Sequence, residues 1–255
     1  MSEFEGLVAV VTGGSSGIGA ATTRLLRQRG ASIAVLDFSA DETDPADTAS
    51  AANIAVPADV ADDESVRSAI TTVTERFGRI DIVVNNAGIG AQGDVTVNDD
   101  DEWMRVWNVN VIGIARVTRA ALPFLRQSPA ASVVNLSSVV ATAGLPQRVL
   151  YTATKGAVLA MTRAMAADHV REGIRFNAVL PGTVDTPWIN RLLADASDPV
   201  GERAALEARQ PHGRLVTPDE VAGAVAYLAS PLSASTTGTS ITVDGGLQAL
   251  RLRSE

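Results

Sequence analysis

The sequence predicts an α/β fold in which a parallel sheet carries helices on both faces. Seven short runs rich in β-branched residues alternate with five longer segments of helical pattern, and strands separated by helices form parallel sheets. The runs are apolar along their length rather than alternating, as in strands buried on both faces. The chain has 255 residues, of which 46% are hydrophobic, and this suits one large domain.

The predicted strands and helices follow one another in regular order. The strands are predicted at Val8–Thr12, Ser32–Asp37, Ile54–Ala58, Ile82–Asn85, Ser132–Ser137, Arg175–Leu180 and Ser240–Val243. The helices are predicted at Gly17–Arg29, Asp62–Phe77, Asp99–Arg126, Leu150–Arg171 and Thr217–Ala229. The acidic run Asn98–Trp103 opens the third helix, where carboxylates meet the positive end of the helix dipole.

One segment interrupts this alternation in what we expect to be a single domain over residues 1–255. Residues 186–211 lie between the sixth strand and the next helix and contain Pro187, Pro199 and Pro211. Such an insertion lies at the carboxyl ends of the strands, where ligands bind in open α/β sheets. We therefore expect residues 186–211, the covering segment, to lie over a bound substrate.

Composition and charge argue against several classes of function. The formal net charge of −8 disfavours binding to nucleic-acid phosphates or to anionic lipid. There is no cysteine and there are only two histidines, so disulfides, thiolate catalysis and metal sites are not expected. The N-terminus lacks the basic region of a signal peptide, and no apolar run reaches the ~20 residues of a membrane span. We expect a cytoplasmic protein without nucleic-acid or membrane partners.

A glycine-rich loop follows the first predicted strand. The loop contains Gly13, and the first helix begins with Gly17 and Gly19. A tight turn of this kind lets the backbone approach a pyrophosphate, which the helix N-terminus can bind. Asp37 ends the second strand, 18 residues after Gly19, and a carboxylate there can bind the ribose hydroxyls of an adenosine. Asp59, at the end of the third strand, is a candidate contact for the adenine ring.

The charge around Asp37 favours NAD over NADP as the cofactor. A 2′-phosphate needs a nearby cation, but the loop offers Ser15 and Ser16, Phe38 follows Asp37, and the run Ser39–Asp47 is acidic. Asp37 would itself repel a 2′-phosphate. The alternative is that Asp37 only begins a solvated acidic turn.

The only lysine of the chain lies four residues after one of its two tyrosines, in the run YTATK. Tyr151 and Lys155 therefore share a helix face one turn apart. Because an ammonium favours a phenolate, Lys155, helped by the charge of a nicotinamide, is expected to lower the pKa of Tyr151 from about 10 toward 7. Such a shift requires about 4 kcal/mol of differential stabilisation of the phenolate.

Ser138 ends a predicted strand 13 residues before Tyr151. A serine there can donate a hydrogen bond to a substrate oxygen; without Tyr151 it would simply be a strand end. A Ser-His-Asp nucleophile is not indicated, because neither histidine has a suitable partner and no G-x-S-x-G run occurs.

These runs together resemble the short-chain dehydrogenase/reductase family. TGGSSGIG, NNAG, WNVNV, NLSS, YTATK, PGTVDTP and VDGG occur in the order and spacing of that family and span nearly the whole chain. The resemblance implies a Rossmann-type doubly wound sheet of seven parallel strands. It also implies hydride transfer between a nicotinamide ring and an alcohol or carbonyl, by an enzyme that is commonly a homotetramer.

The resemblance also implies roles for individual residues. Tyr151 would be the general acid/base, Lys155 would bind the nicotinamide ribose, Ser138 would orient the substrate oxygen, and Asn110 would hold a water of the proton relay. The residues expected to bind the cofactor are Gly13, Ser15, Ser16, Gly17, Ile18, Gly19, Asp37, Phe38, Asp59, Val60, Asn86, Ala87, Gly88, Tyr151, Lys155, Pro181, Gly182, Val184 and Thr186.

Three arginines near these motifs are candidates for the substrate site. Arg148 lies three residues before Tyr151, while Arg191 and Arg209 lie in the covering segment, and guanidinium groups suit carboxylates. Most arginines of any chain are solvated surface residues. The surrounding runs nevertheless resemble dehydrogenases of 3-hydroxybutyrate and 2-keto-3-deoxy sugar acids, which suggests a small hydroxy acid or sugar acid.

Three functions compete at this point. The first is an NAD-dependent dehydrogenase of a secondary alcohol or hydroxy acid, and the second is an NADP-dependent carbonyl reductase of the same fold. The third is a non-enzymatic NAD-sensing protein. The sensor is disfavoured because it would have little use for the complete set of Asn110, Ser138, Tyr151 and Lys155.

Overall fold

The structure, a computed structural model, describes residues 2–39 and 52–253. Its strands are β1 Val8–Thr12, β2 Ser32–Asp37, β3 Asn53–Pro57, β4 Ile82–Asn85, β5 Ser132–Leu136, β6 Arg175–Pro181 and β7 Ser240–Val243. They form one parallel sheet in the order β3-β2-β1-β4-β5-β6-β7. The predicted fold class is confirmed. Because the order reverses between β1 and β4, a crevice opens outside the carboxyl ends of those strands.

Helices cover both faces of the sheet. They are α1 Gly17–Gln28, α2 Asp63–Phe77, α3 Asp100–Trp107, α4 Gly113–Leu125, α5 Val149–His169, α6 Pro187–Ala194, α7 Pro199–Ala208 and α8 Pro218–Ala229. One face carries α1 and α8, which pack against each other, and the opposite face carries α2, α4 and α5. In the part of the chain that the structure describes, no helix has the length and apolar character to cross a membrane.

The two-sided packing explains why the inner strands are apolar throughout. In β1, Ala9 and Val11 belong to the apolar cluster under α1 and α8, whereas Val8 and Val10 belong to the cluster under α2 and α4. Successive side chains of a strand point to opposite faces, so each face needs its own apolar set. The edge strands differ from the prediction: β3 and β7 are only partly buried, because each has a neighbouring strand on one side only.

The third predicted helix, Asp99–Arg126, is interrupted in the structure. It consists of α3, a π-helical turn at Asn108–Ile112, and α4. The single-helix prediction was therefore wrong at its centre. The π turn places Asn110 in a fully buried position, and such turns often occur at functional sites.

The covering segment consists mainly of α6 and α7, which were not predicted. Pro187 and Pro199 are the first residues of these helices, where a missing N–H costs nothing. The preceding Thr186 and Asp198 cap the two helices through their side chains. Four residues form an apolar cluster separate from the sheet core: Ile189, Leu193, Leu206 and Leu215.

Candidate active site

A cavity of about 950 Å³ opens at the carboxyl ends of the strands. Most of the residues singled out from the sequence line it: Gly13, Ser16, Gly17, Ile18, Asp37, Phe38, Asp59, Val60, Asn86, Ala87, Gly88, Ser138, Arg148, Tyr151, Lys155, Pro181, Gly182, Val184, Thr186, Arg191 and Arg209. Three others are not among the lining residues: Ser15, Gly19 and Asn110. The fold thus brings together motifs from both halves of the chain.

The glycine loop between β1 and α1 forms one end of the cavity. Gly13 and Gly17 have φ angles of 63° and 53°, which other residues rarely adopt. A Cβ on Gly19 would overlap the Gly13 carbonyl oxygen. The helix begins at Gly17 on the cavity wall, and the Ser16 side chain makes no capping hydrogen bond. The positive end of α1 therefore remains available to an anion such as a pyrophosphate.

Thr12 and Asn86 hold this end in place. The Asn86 Nδ2 donates to the carbonyl oxygens of Thr12, at 3.0 Å, and Gly13, at 2.9 Å. In return, the Thr12 hydroxyl accepts from the backbone N–H groups of Asn86 and Ala87, at 3.0 and 3.1 Å. The sequence prediction missed Thr12, although it directly precedes the glycine loop.

Asp37 lies at the end of β2 beside the glycine loop. Its carboxylate accepts from the backbone N–H of Ser15, at 3.0 Å, and from that of Ser39, at 3.2 Å. Ser15 thus supports Asp37 through its backbone. Asp59 also lines the cavity, and its carboxylate accepts from the Ala61 N–H at 2.8 Å. Most of the acidic run Ser39–Asp47, from residue 40 onward, lies outside the described residues.

The opposite end of the cavity contains the tyrosine and serine. Tyr151 lies in the first turn of α5, and Ser138 follows β5 in an extended conformation. The Ser138 hydroxyl lies close enough to the Tyr151 phenol to lower the pKa of the phenol, although a loop separates the two residues in the sequence. Both line the cavity, so a carbinol or carbonyl oxygen at this point can contact both hydroxyl groups.

Lys155 lies one turn after Tyr151 and is only 5% exposed. Its Nζ donates to the Leu136 carbonyl oxygen at 2.8 Å and lies 5.7 Å from the centroid of the Tyr151 ring. The Ser137 hydroxyl fixes the same turn by donating to the Lys155 carbonyl oxygen at 2.8 Å. The ammonium is therefore anchored to the end of β5, beside the phenol.

The pKa of Tyr151 is shifted opposite to the sequence-based expectation. Burial raises the pKa of Tyr151 to about 12, and the nearby Ser138 hydroxyl and the Arg148 charge only partly oppose this. Burial also lowers the pKa of Lys155 to about 8. The expectation of a lowered tyrosine pKa was wrong for the protein alone. The cause is that removal from water disfavours the phenolate more than the Ser138 hydroxyl and the Arg148 charge favour it.

Asn110 lies in the π turn and is completely buried. Its carboxamide bonds both the N–H and the C=O of Ile89, at 2.8 and 2.9 Å, and donates to the Thr154 hydroxyl at 3.2 Å. A Cβ on Gly88 would lie 3.2 Å from the Asn110 Oδ1 and 3.6 Å from the Lys155 Nζ. Asn110 therefore lies close to the Lys155 ammonium, and Gly88 leaves the room between them.

The loop after β6 closes the cavity on one side. Val184 and Thr186 line the cavity together with Pro181 and Gly182. A Cβ on Gly17 would lie 3.2 Å from the Thr186 Cγ2, so this loop reaches across to the start of α1. The Val216 N–H donates to the Thr183 carbonyl oxygen at 2.9 Å, which ties the loop to the residues before α8.

The three candidate arginines lie on the cavity wall beside the tyrosine. Burial and the positive charge of Arg209 lower the pKa of Arg148, while Tyr151 and Glu202 act in the opposite direction. Within the described residues, neither Arg148 nor Arg209 forms an ion pair with a carboxylate. Two mutually repelling guanidinium groups at a cavity wall favour an anion between them.

Several lining residues were missed by the sequence analysis: Arg105, Leu145, Trp188, Leu192 and Leu206. Trp188 packs on Gly90, where a Cβ would lie 2.5 Å from the indole Cζ2. Three of the five belong to the covering segment, which the sequence placed over the substrate without identifying individual side chains. Apolar side chains of this kind surround the arginines and make the wall amphipathic.

The lining residues fit a nicotinamide dinucleotide. The loop at Gly13 has no room for side chains, α1 presents its N-terminus, and Asp37 and Asp59 lie on the wall. The end of the cavity far from α1 is lined by the Tyr151 phenol, the Ser138 hydroxyl and the Lys155 ammonium. The cavity therefore suits an elongated cofactor that has its phosphates at α1 and its reactive ring beside Tyr151.

Comparison with known proteins identifies the family. Residues 13–248 match a family model described as enoyl-(acyl carrier protein) reductase. The cis-4-hydroxycyclohexanecarboxylate dehydrogenase of Sinomonas cyclohexanicum is 38% identical over 97% of this chain and 98% of its own length. The meso-2,3-butanediol dehydrogenase of Serratia marcescens is 36% identical over 96% of this chain and 96% of its own.

Solved structures agree with the sequence comparison. The aldohexose dehydrogenase of Thermoplasma acidophilum has a TM-score of 0.90 and 32% identity, and covers 100% of this chain and 98% of its own. Levodione reductase has a TM-score of 0.91 and 32% identity, and covers 97% of this chain and 100% of its own. The protein is therefore an oxidoreductase acting on CH–OH groups, and it belongs to the short-chain dehydrogenase/reductase family.

Proposed function

We propose that this protein is an NAD-dependent dehydrogenase of a small hydroxy acid or sugar acid. The observation that carries the substrate assignment is the pair Arg148 and Arg209 on the cavity wall. Burial makes an unpaired guanidinium costly, so a ligand carboxylate that bonds both would stabilise them. A relative of 38% identity is named for a hydroxy carboxylate, which supports the same substrate class.

Asp37 supports NAD as the cofactor. Its carboxylate lies on the cavity wall at the end of β2 and is held by the Ser15 and Ser39 N–H groups. A carboxylate accepts hydrogen bonds from two ribose hydroxyls, but it repels a phosphate in the same place. NADP remains the alternative, and tighter binding of NADPH than of NADH by the purified protein would select it.

The proposed reaction uses the residues at the tyrosine end. A bound oxidised nicotinamide would supply the acceptor for the hydride of the carbinol carbon. Tyr151 accepts the proton of the carbinol hydroxyl, Ser138 holds the oxygen, and Lys155 stabilises the phenolate that the proton transfer requires. Because burial raises the pKa of Tyr151 to about 12, the phenolate needs further positive charge. The oxidised nicotinamide ring carries such a charge.

The test of the substrate assignment is an Arg209→Ala variant assayed with hydroxy acids and with neutral secondary alcohols. We expect kcat/KM for hydroxy acids to fall by about tenfold to a hundredfold, since hydrogen bonds to charged groups contribute about 1.5–3 kcal/mol. Neutral alcohols should be affected little. The control is Arg24→Ala, which removes an exposed ion pair with Asp219. An equal loss, or none, for both substrate types would exclude the carboxylate role.

The sensor alternative predicts binding without turnover. The Tyr151 phenol and the Ser138 hydroxyl both line the cavity, which favours catalysis over simple retention of the cofactor. Failure of the wild-type protein to oxidise any of a panel of hydroxy acids, sugar acids and secondary alcohols would favour the sensor.

We also propose a homotetramer located in the cytoplasm. Support for the assembly comes from α5, where Ala153, Gly156, Ala157 and Ala160 are at least partly exposed, and small residues permit close helix contact. Nothing lies within 4 Å of a Cβ placed on Gly156. Light scattering on the purified chain tests the assembly, and a monomer would contradict it.

A further inference from the structure

Gln210 is a buried amide that the proposed reaction does not use. It follows α7 by two residues and is 1% exposed. Its Oε1 accepts from the Thr183 N–H at 3.1 Å, and its Nε2 donates to the carbonyl oxygens of Thr183, at 3.3 Å, and Arg214, at 2.6 Å. The Gln210 side chain therefore forms hydrogen bonds with both the backbone N–H and the backbone carbonyl oxygen of Thr183.

Thr183 belongs to the loop on which the cofactor site depends. It lies between Gly182 and Val184, which both line the cavity, and it lines the cavity itself. The Val216 N–H also donates to its carbonyl oxygen, while the Asp185 N–H donates to the Val216 carbonyl oxygen at 2.8 Å. Residues 183–186, the loop after β6, are thus held from outside by Gln210 and Val216.

The contact also explains the glycine at position 182. A Cβ at that position would overlap the Gln210 Oε1 and lie 2.9 Å from the Asp244 Cα. The φ angle of Gly182 is not in the left-handed region, so glycine is needed there for space rather than for conformation. Gly182 and Gln210 are therefore complementary in shape.

Gln210 is directly preceded by Arg209, which faces the cavity. The same turn after α7 thus presents one side chain to the substrate end and the next to the loop after β6. A planar amide can accept one bond and donate two in a fixed geometry. The backbone of Arg209 is consequently tied to the loop after β6 through its neighbour Gln210.

We propose that Gln210 is a positioning residue that holds the loop after β6 against the nicotinamide half of the cofactor, in register with Arg209. The proposal rests on the proposed function in one respect, namely that the nicotinamide lies between Tyr151 and Thr186. Gln210 does not touch the reacting atoms. It acts through the backbone of Thr183, on which Val184 and Thr186 depend for their place at the cavity wall.

The experiment compares two ligands that differ in the nicotinamide. NADH and ADP-ribose share the adenosine, the pyrophosphate and the second ribose, but only NADH carries the nicotinamide ring that the loop after β6 would contact. In Gln210→Glu, which keeps the side-chain shape, the carboxylate cannot donate to the Thr183 and Arg214 carbonyl oxygens. We expect the Kd for NADH to rise by about tenfold or more, because buried unpaired acceptors are costly. The Kd for ADP-ribose should stay within about twofold.

The matched control is Gln127→Glu. The Gln127 Nε2 also donates to a backbone carbonyl oxygen, that of Pro123 at 2.9 Å, but on an exposed surface. This variant should bind both ligands as the wild type does. A lowered pH provides a second control, since a protonated carboxyl at position 210 regains one donor and should restore part of the NADH affinity.

A second variant, Gln210→Asn, keeps the amide on a side chain that is one methylene shorter. If Gln210→Glu does not fold, the affinities of Gln210→Asn for NADH and ADP-ribose test the proposal. A folded variant with unchanged NADH affinity overturns the proposal, as does an equal loss of both ligands. Failure of both variants to fold also overturns it in favour of a purely structural role.

The result of the NADH and ADP-ribose comparison can be told apart from the result of the substrate test. A wild-type protein that oxidises no hydroxy acid contradicts the substrate assignment, but leaves the NADH and ADP-ribose comparison readable. A wild-type protein that prefers NADPH is tested in the same way with NADPH and 2′-phospho-ADP-ribose.

Discussion

The two ends of the cavity are held in place by different parts of the molecule. At the cofactor end, backbone groups of neighbouring strands are bonded by Thr12 and Asn86, and the glycine loop continues directly from β1. At the substrate end, part of the wall comes from the covering segment, whose two helices form with Leu215 an apolar cluster apart from the sheet core. The first end is thus part of the sheet, and the second is attached to it.

The difference indicates how each end tolerates change. A new side chain in the glycine loop meets backbone, as at Gly19, and backbone in a sheet cannot move without disturbing the core. The covering segment meets the sheet mainly through the loop after β6 and a few polar bonds. Regions with small local cores open more readily than the main core, so we expect faster hydrogen exchange in α6 and α7 than in β1.

The largest effect is expected at the substrate end, at Tyr151. Tyr151→Phe removes the proton acceptor, and we expect turnover to fall by about 10²–10⁴-fold, with the Kd for NADH within about threefold. Steady-state kinetics and NADH fluorescence measure the two effects. Tyr227→Phe is the control, because Tyr227 is 51% exposed and lies outside the cavity. Undiminished turnover by Tyr151→Phe would refute the assignment.

A second prediction concerns the charge of Lys155 at the same point. Because its pKa falls to about 8 in the folded protein, the unfolded chain binds more protons from pH 8 up to its ordinary value near ~10.5. Stability should therefore rise with pH in this window, by roughly 2–3 kcal/mol between pH 7 and 10. Lys155→Met should lack this rise.

Urea unfolding of the wild type and Lys155→Met at several pH values measures the difference. Measurements should stop at pH 10, because the raised pKa of Tyr151 means that the folded state binds more protons above that pH. That effect lowers stability as pH increases further. Parallel pH profiles for the two proteins would show that Lys155 is not a buried cation.

The third prediction tests the cofactor end alone. Gly19→Ala places a methyl group against the Gly13 carbonyl oxygen, and we expect the Kd for NADH to rise by at least about tenfold. The control is Gly223→Ala in α8, where nothing lies within 4 Å of a Cβ. That exchange should stabilise the protein by up to ~1 kcal/mol, since alanine favours a helix. Normal NADH affinity in Gly19→Ala would show that the loop is more compliant than its contacts indicate.

Local patterns in the sequence predicted the sheet well. The strands, the glycine loop and the spacing of Tyr151 and Lys155 each depend on neighbouring residues, so periodicity and helix geometry suffice. The π turn at Asn108–Ile112 could not be predicted in this way. No proline or glycine occurs within it, and Asn110 is held there by Ile89 and Thr154, which are distant in the sequence.

Three other features depended on the three-dimensional surroundings of the residues concerned. The prolines of the covering segment marked an interruption of the strand–helix alternation and no helix was predicted there, but Pro187 and Pro199 begin helices, each preceded by a capping residue. The raised pKa of Tyr151 was missed because a sequence shows the spacing of Lys155 but not the depth of burial. Gln210 was overlooked for the same reason, since its partners lie 27 residues earlier and four residues later.

The separate cluster of Ile189, Leu193, Leu206 and Leu215 has a consequence for the divergence of such enzymes. Mutations in α6 and α7 can accumulate while the sheet core stays intact, because the two sets of apolar side chains do not share members. Substrate specificity can therefore change during evolution through substitutions within the covering segment, a stretch of some two dozen residues. The same stretch is the natural unit to transplant when a new specificity is designed onto an existing dehydrogenase.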